Sequence, residues 1–321
     1  MDPLERSLRS TNLNLLPVLR AVLKHRNLTK AAAELNITQS GVSNSLRQLR
    51  AHFDDELLVR DGRTLRLTEK AKSLIEPLER ALSAVERVLA NTRFEPAIDR
   101  RRFRVATADY VTAITAPRMA AIMGRDAPGM TVQMVTARAQ SVADLRAGNI
   151  DMIISPRQII EAGIYDAPNL MREFTFEPLT REPFVCLGRA DDEAFARGLT
   201  AEEYLARPHA SFHLDLSAHA SLEHGYLIEH GIDQFNRILT SDFTVLPLIA
   251  ARSDCIVLAP RSLAQLVVEG LPLRIGPCPL PFPDLELVMV WSRGRTEEPE
   301  LLWLRDLLKR CVEPPPDHHH G

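Results

Sequence analysis

The sequence predicts an N-terminal all-α head carrying a winged helix-turn-helix, a long linker helix, and a C-terminal α/β body of two lobes. Three observations lead there. Residues 1–93 read as helices interrupted by one hairpin signal, and beyond Arg93 short apolar runs alternate with helical stretches. Charge divides at the same place: residues 1–93 hold 16 Lys+Arg against 11 Asp+Glu, a balance of +5, whereas the whole chain stands at -3 and the remainder therefore at -8. A basic head on an acidic body points to a polyanionic partner for the head alone.

In the head, Leu13, Leu16, Leu19, Val22 and Leu23 recur at helical spacing and predict a helix over about 13–25. Thr29 is a candidate N-cap for a short second helix, "KAAAELN", whose Ala31, Ala32 and Ala33 permit close approach of a neighbour. Asn36 and Ile37 form a tight break, because asparagine tolerates the left-handed conformation, and Thr38 caps a third helix. Val42, Leu46, Leu49 and Phe53 make one narrow apolar stripe on it, opposite Ser40, Ser43, Asn44 and Arg47. That arrangement suits a helix read N-terminus first by the major groove, with Gly41 and the serines as clearance for DNA. Gln39, Ser40, Ser43, Asn44 and Arg47 then face bases or phosphates, with Thr29, Thr38 and Arg50 beside them. "ELLVRDGRTLRLT" predicts two strands around Asp61-Gly62, placing Arg60, Arg63 and Arg66 on or near a wing.

The run "LTKAAAELNITQSGVSNSLRQLRAHFDDELLVRDGRTLRLTEKA" resembles the winged helix-turn-helix of LysR-type transcriptional regulators. The matching features are the AAxxL helix, the TQSxVS start of the third helix, its L-x-x-L-R close, the "ELLVR" strand and the "LTEKA" entry to the next helix. The resemblance implies double-stranded DNA as partner and, in transcription, RNA polymerase. Residues 1–67 are then the DNA-binding domain and 68–93 the linker. From a cap at Thr68, the stripe Leu74, Leu78, Leu82, Val85, Leu89 predicts an amphipathic helix that Pro77 should kink. In the family this helix pairs with its copy in another subunit, which implies a homodimer or homotetramer; a stripe packed on its own subunit is the alternative.

Within residues 94–313, "FRVATA", "TVQMVT" and "DMIIS" predict parallel strands, with helices near 110–125 and 139–147. A second series follows: strands "PFVCLG", "HASFHL", "FNRILT" and "CIVLAP", with helices over 217–231 and 243–252. "LELVMVWS" is one more strand, and 298–312 a last helix. Periodicity thus suggests two α/β lobes. The resemblance implies their arrangement, that of the type 2 periplasmic binding proteins, with one lobe of about 100–177 plus 275–313, the other of about 178–274, and a small-molecule effector between them. Residues at strand ends are the candidates for that site: Thr107, Asp109, Tyr110, Thr136 and Arg138 from one lobe; His209, His213, Phe243 and Arg252 from the other. Asp109 alternatively caps its own helix. "SDFTVLPLIAARSDCIVLAPRSLA" resembles the branch responding to salicylate, related aromatic acids and flavonoids. There the positions of His209 and Arg252 are associated with effector carboxylate or hydroxyl binding, which implies an aromatic acid or phenolic effector, and arginine's planar fork suits a carboxylate.

Other chemistry lacks its first requirement. No GxSxG, GxxxxGK[ST] or GxGxxG occurs, and neither an enzyme nor a cofactor is expected. His209, His213, His219, His224 and His230 show no metal-ligand frame, and Cys186, Cys255, Cys278 and Cys311 no paired spacing. A plain small-molecule binding protein and, further off, a metal-dependent enzyme using those histidines are the rival readings. No apolar run reaches the roughly 18 residues of a membrane helix, and "MDPLERSLRS" lacks a signal peptide's apolar core, so a cytoplasmic location away from membranes is expected. "PPPDHHHG", within 314–321, reads as a disordered tail or a remnant of expression.

Overall fold

The structure is a computed structural model that describes residues 12–61, 64–90, 94–161, 170–213 and 221–313. Arg63, His219 and the tail 314–321 lie outside the described residues. The chain forms two compact units, Met1–Arg93 and Phe94–Gly321.

The first unit opens with helix α1 (Leu15–His25), which buries Val18, Leu19, Ala21, Val22 and Leu23 on one face. Helix α2 (Leu28–Leu35) packs Ala31 and Ala32 into the same core and leaves Ala33 exposed. Its cap is Asn27 rather than Thr29: the Asn27 side-chain oxygen accepts from the Thr29 and Lys30 amides at 2.9 and 3.0 Å. Both residue types can cap, and the helix takes the earlier one. Asn36 turns the chain at φ 53, and Thr38 caps helix α3 (Gln39–Phe53) by accepting from the Gly41 amide at 3.1 Å. Val42, Leu46 and Leu49 are buried and Phe53 is half-buried, as the narrow stripe predicts.

Strands β1 (Leu58–Asp61) and β2 (Thr64–Leu67) pair antiparallel from Leu58↔Leu67 to Asp61↔Thr64 and form the wing. Before β1, Leu57 is fully buried at φ 58, a conformation a branched side chain adopts only under constraint. The constraint is visible. The Asp55 carboxylate accepts from the Leu57 amide and from the Thr68 hydroxyl, both at 2.6 Å. The Thr68 amide donates to the Leu57 carbonyl at 3.1 Å, and the Thr68 oxygen caps helix α4 (Glu69–Ala90) through the Ala71 amide at 3.0 Å. One threonine thereby joins the loop after α3, the wing and the long helix. Along α4, Leu78 and Leu82 are buried and Leu74 is half-buried in the head's own core, while Ile75 and Val85 stay exposed.

The second unit holds a five-stranded sheet in the order β4 (Thr131–Thr136), β3 (Arg102–Thr107), β5 (Met152–Pro156), β12 (Leu285–Ser292) and β6 (Phe174–Glu182). Strand β3 lies parallel to β4 and β5, joined through helices α5 (Asp109–Asp126) and α6 (Ser141–Arg146). After the short helices α7 (Arg157–Glu161) and α8 (Leu170–Glu173) comes β6, which the sequence reading did not anticipate. It pairs antiparallel with β12, so the first sheet reaches 182 and straddles the expected lobe boundary at 177.

The second lobe centres on β7 (Phe184–Arg189), flanked antiparallel by β10 (Val257–Pro260) and β11 (Leu273–Gly276). This sheet is not parallel, and β11 carries the lobe to 276 rather than 274. Helices α9 (Glu193–Arg197) and α10 (Ala201–Leu205) precede a parallel pair, β8 (His209–Phe212) with β9 (Asn236–Thr240). Helix α11 (Leu222–Glu229) lies between those two strands in sequence. A 3-10 turn (Phe243–Val245) leads into α12 (Leu246–Ala250), α13 (Arg261–Val268) follows β10, and α14 (Pro299–Val312) closes the chain. Among the described residues no helix is long and apolar enough to cross a membrane.

The Thr68 junction yields a test. Thr68→Val removes both the helix cap and the hydroxyl bond to Asp55, and should destabilise the head by about 1–2 kcal/mol. Amide hydrogen exchange at Ala71 and through the wing should accelerate accordingly; unchanged protection there would show the junction to be dispensable.

Candidate DNA-reading surface and effector cavity

The polar side of α3 is open to solvent. Gln39, Ser40, Ser43, Asn44 and Arg47 are all exposed, and Thr29, at the start of α2, and Thr38 are exposed beside them. Arg47 donates to the Asn44 side-chain oxygen at 3.1 Å, so two of the predicted reading residues hold one another in place. Arg60 and Arg66 are exposed on the wing strands. A groove between α3 and the wing has Ser43, Arg47 and Arg60 in its walls.

Two expectations change. Arg50 turns inward: its guanidinium donates to the Glu56 and Leu58 carbonyls at 2.8 and 3.3 Å and pairs with the Glu56 carboxylate, pinning the loop that leads into the wing. Gly41 answers to the protein itself, because a Cβ there would stand 3.3 Å from the Thr38 oxygen that caps the helix.

In the body, a cavity of about 810 Å³, counted out to its open mouth, lies between the lobes. Tyr110, Ile154 and Leu287 wall it from the first lobe, and Phe184, Phe212 and Phe243 from the second. Phe212 stacks on Phe243 with ring centroids 3.9 Å apart, and Tyr110 meets Phe243 edge-on at 5.1 Å. Polar groups are few: Thr136, Ser155, Ser221 and Ser241, with the carboxyls of Asp109 and Glu223. No arginine, lysine or histidine stands among the described lining residues. The Tyr110 hydroxyl is buried with no hydrogen-bond partner among the described residues, and burial, with Glu182 and Asp109 nearby, pushes it well above the usual phenol range.

Asp109 does not cap its own helix. It crosses to the second lobe, where its carboxylate accepts from the Phe243 amide at 2.9 Å and from the Thr244 amide and hydroxyl at 2.7 and 2.6 Å. It thus satisfies the free amides that open the 3-10 turn, and it fixes Phe243 against Tyr110.

Of the predicted effector residues, the structure brings Asp109, Tyr110, Thr136 and Phe243 to this cavity. Thr107 is buried outside its lining, and Arg138 is exposed beyond the end of β4. His209 is fully buried away from it, where its Nε2 donates to the Tyr204 carbonyl at 2.8 Å and its ring meets Tyr204 edge-on. Burial lowers its pKa to about 4, so it offers no positive charge to a carboxylate near neutral pH. Arg252 is exposed past the end of α12 and also outside the lining. His213 lies in an adjoining cavity, edge-on to His224 at 5.4 Å, and His230 rests against Tyr226. The sequence reading missed Phe184, Phe212, Ser155 and Glu223. The aromatic residues at the edges of "PFVCLG" and "HASFHL" were the available signal; Glu223 gave none.

A winged helix-turn-helix joined to a two-lobed α/β body with an interior cavity defines a DNA-binding regulator with a ligand-binding domain. The description "Bacterial regulatory helix-turn-helix protein, lysR family" matches residues 13–72, and "LysR substrate binding domain" matches residues 97–312. The chain belongs to the LysR family of transcriptional regulators. It is 30% identical over 301 residues to nodulation protein D 1 of Rhizobium tropici, covering 94% of each chain. To nodulation protein D 2 of Bradyrhizobium sp. (strain NC92) it is 31% identical, covering 94% of this chain and 86% of that one. A probable transcriptional regulator from Pseudomonas aeruginosa superposes with a TM-score of 0.68 at 27% identity, covering 94% of this chain and 98% of that one. An OxyR of Corynebacterium glutamicum shares the fold, with a TM-score of 0.60 at 17% identity and coverage of 94% and 92%.

Glu223 makes the cavity's electrostatics testable. Burial pushes its carboxyl from the ordinary 4.5 to about 7, opposed by its bond from Gln234. The folded state therefore holds this proton more tightly than the unfolded state does. The carboxyl is neutral in both states below pH 4.5, and stability falls as pH rises from there to about 7. Glu223→Gln, which keeps the shape and cannot ionise, should gain on the parent by about 3 kcal/mol across that interval. Chemical denaturation at several pH values measures the gap, and a constant gap would rule out a buried titrating carboxyl.

Proposed function

We propose that this regulator is switched by an uncharged aromatic effector of phenolic type held in the cavity between the lobes. The carrying observation is the cavity's composition: aromatic and aliphatic walls, a few hydroxyl side chains, two carboxyls and no described cation. An aromatic acid would set its carboxylate among apolar groups and near the Asp109 carboxylate, at a large desolvation cost. A phenol buries its ring and needs one or two hydrogen bonds. The branch resemblance allows both classes, and this cavity suits the phenolic one.

Effector binding changes DNA binding only through a difference in affinity between two arrangements of the molecule. Because the cavity draws walls from both lobes, a ligand that contacts both favours the arrangement that closes on it. Self-association through the exposed side of α4, at Ile75 and Val85, would join two heads and let the dimer read two half-sites. RNA polymerase is the partner that a DNA-bound regulator acts upon.

Two measurements test this. With the full chain, naphthol should raise the thermal midpoint in proportion to the logarithm of its concentration and naphthoate should not; stabilisation by naphthoate alone would overturn the uncharged class. Gln39→Ala and Arg47→Ala should each weaken binding to a footprinted operator by about 1–3 kcal/mol per lost base contact. Unchanged operator affinity would remove those residues from the reading face.

A further inference from the structure

The cavity between the lobes is not the whole of the space beside Glu223. A second cavity of about 360 Å³ adjoins it, with Phe212 and Glu223 in the walls of both. Beside Phe212, Leu227 and Leu239, its walls carry a larger share of polar side chains than those of the first. Ser211, His213, His224, Gln234 and Asn236 face it from β8, the segment after it, α11 and the approach to β9.

Hydrogen bonding in this chamber is lopsided. The Ser211 hydroxyl donates to the Asn236 side-chain oxygen at 2.7 Å. The Gln234 amide nitrogen points toward three acceptors, Glu223 Oε1 at 3.1 Å, Asn236 Oδ1 at 3.2 Å and Ser211 Oγ at 3.5 Å. Gln234 Oε1 is left shielded from solvent with no donor among the described residues. Glu223 itself is only 5% exposed. The Gln234 carbonyl is therefore a buried acceptor without a donor, which is costly to leave so.

We propose that this polar cavity is a subsite of the effector site that takes a hydroxyl at the far end of the aromatic molecule, the hydroxyl donating to Gln234 Oε1 beside the Glu223 carboxyl. The inference rests on the reading of the apolar cavity as the effector site and adds the residues that determine specificity. A hydroxyl is the group that fits, since it supplies the missing donor without carrying a charge through the apolar chamber. A carboxylate supplies only further acceptors. The imidazoles of His213 and His224 are the groups in this chamber that would favour one, and the test gives that outcome its own arm.

Affinities of the full chain for biphenyl, para-hydroxybiphenyl and para-carboxybiphenyl are measured by titration calorimetry, in the parent and in Gln234→Leu, with thermal melting as a folding control. In the parent, para-hydroxybiphenyl should bind about tenfold or more tightly than biphenyl, as a hydrogen bond to an otherwise unsatisfied buried acceptor implies. Para-carboxybiphenyl should bind more weakly than biphenyl. In Gln234→Leu the hydroxyl preference should fall to about twofold or less. Equal affinity for biphenyl and its hydroxyl derivative in the parent, or tightest binding of the carboxyl derivative, overturns the subsite and leaves the aromatic cavity standing. Failure of all three probes, together with failure of naphthol, overturns both. If Gln234→Leu does not fold, the parent series alone decides.

Discussion

The Asp109 carboxylate ties the strand-to-helix turn of one lobe to the first residues of the 3-10 turn in the other, through three hydrogen bonds of 2.6–2.9 Å. Much of the body's architecture depends on that bond set. It brings Tyr110 and Phe243 edge to face, gives Phe212 a partner to stack on, and so builds the aromatic side of the cavity. An anion at a helix start usually serves its own helix. Here it serves amides 134 and 135 residues further along the chain, which makes the cavity's shape a property of the two lobes together.

The two recognition surfaces follow opposite rules. On α3, polar side chains are exposed and arranged by short local bonds such as Arg47 to Asn44, which suits a partner that is itself a dense polyanion. In the cavity the polar groups are few, hydroxyls and two carboxyls, and the described walls withhold cations altogether. Arg50, His209 and Arg252 look alike in sequence as candidates for binding anions. Their surroundings separate them: one clamps a loop, one is held neutral by burial, and one sits in solvent past a helix end.

How much of this was legible from residues alone follows from the range of the forces involved. The head was readable almost throughout, because caps, turns and narrow stripes are set by neighbours within one or two turns. Even there the choice of Asn27 over Thr29 lay below the resolution of residue preference. In the body, β3, β4 and β5 were readable from alternating apolar runs. Strand β6 was not, since "FTFEPLTRE" carries a proline and three charged residues, and its pairing partner β12 lies far along the chain. Four of nine expected effector residues line the cavity: Asp109 and Tyr110 just past β3, Thr136 at the end of β4, and Phe243. Phe184 and Phe212 left only the signal of an aromatic in a predicted strand, whereas the place of Glu223 in a wall depends on how the lobes close over it, which no local pattern encodes.

The Thr68 junction has a mechanical consequence for the head. A helix of 22 residues is about 33 Å long at the usual rise per residue. Its first turn is bonded to the loop that ends α3 and begins the wing. With so little slack at that end, and with Leu74, Leu78 and Leu82 packed into the head's core, the head and the long helix turn as one arm. A tilt of about 10° at its base displaces its far end by roughly 6 Å, close to the pitch of one helical turn. A rotation of that size therefore sweeps nearly two base-pair steps of about 3.4 Å each.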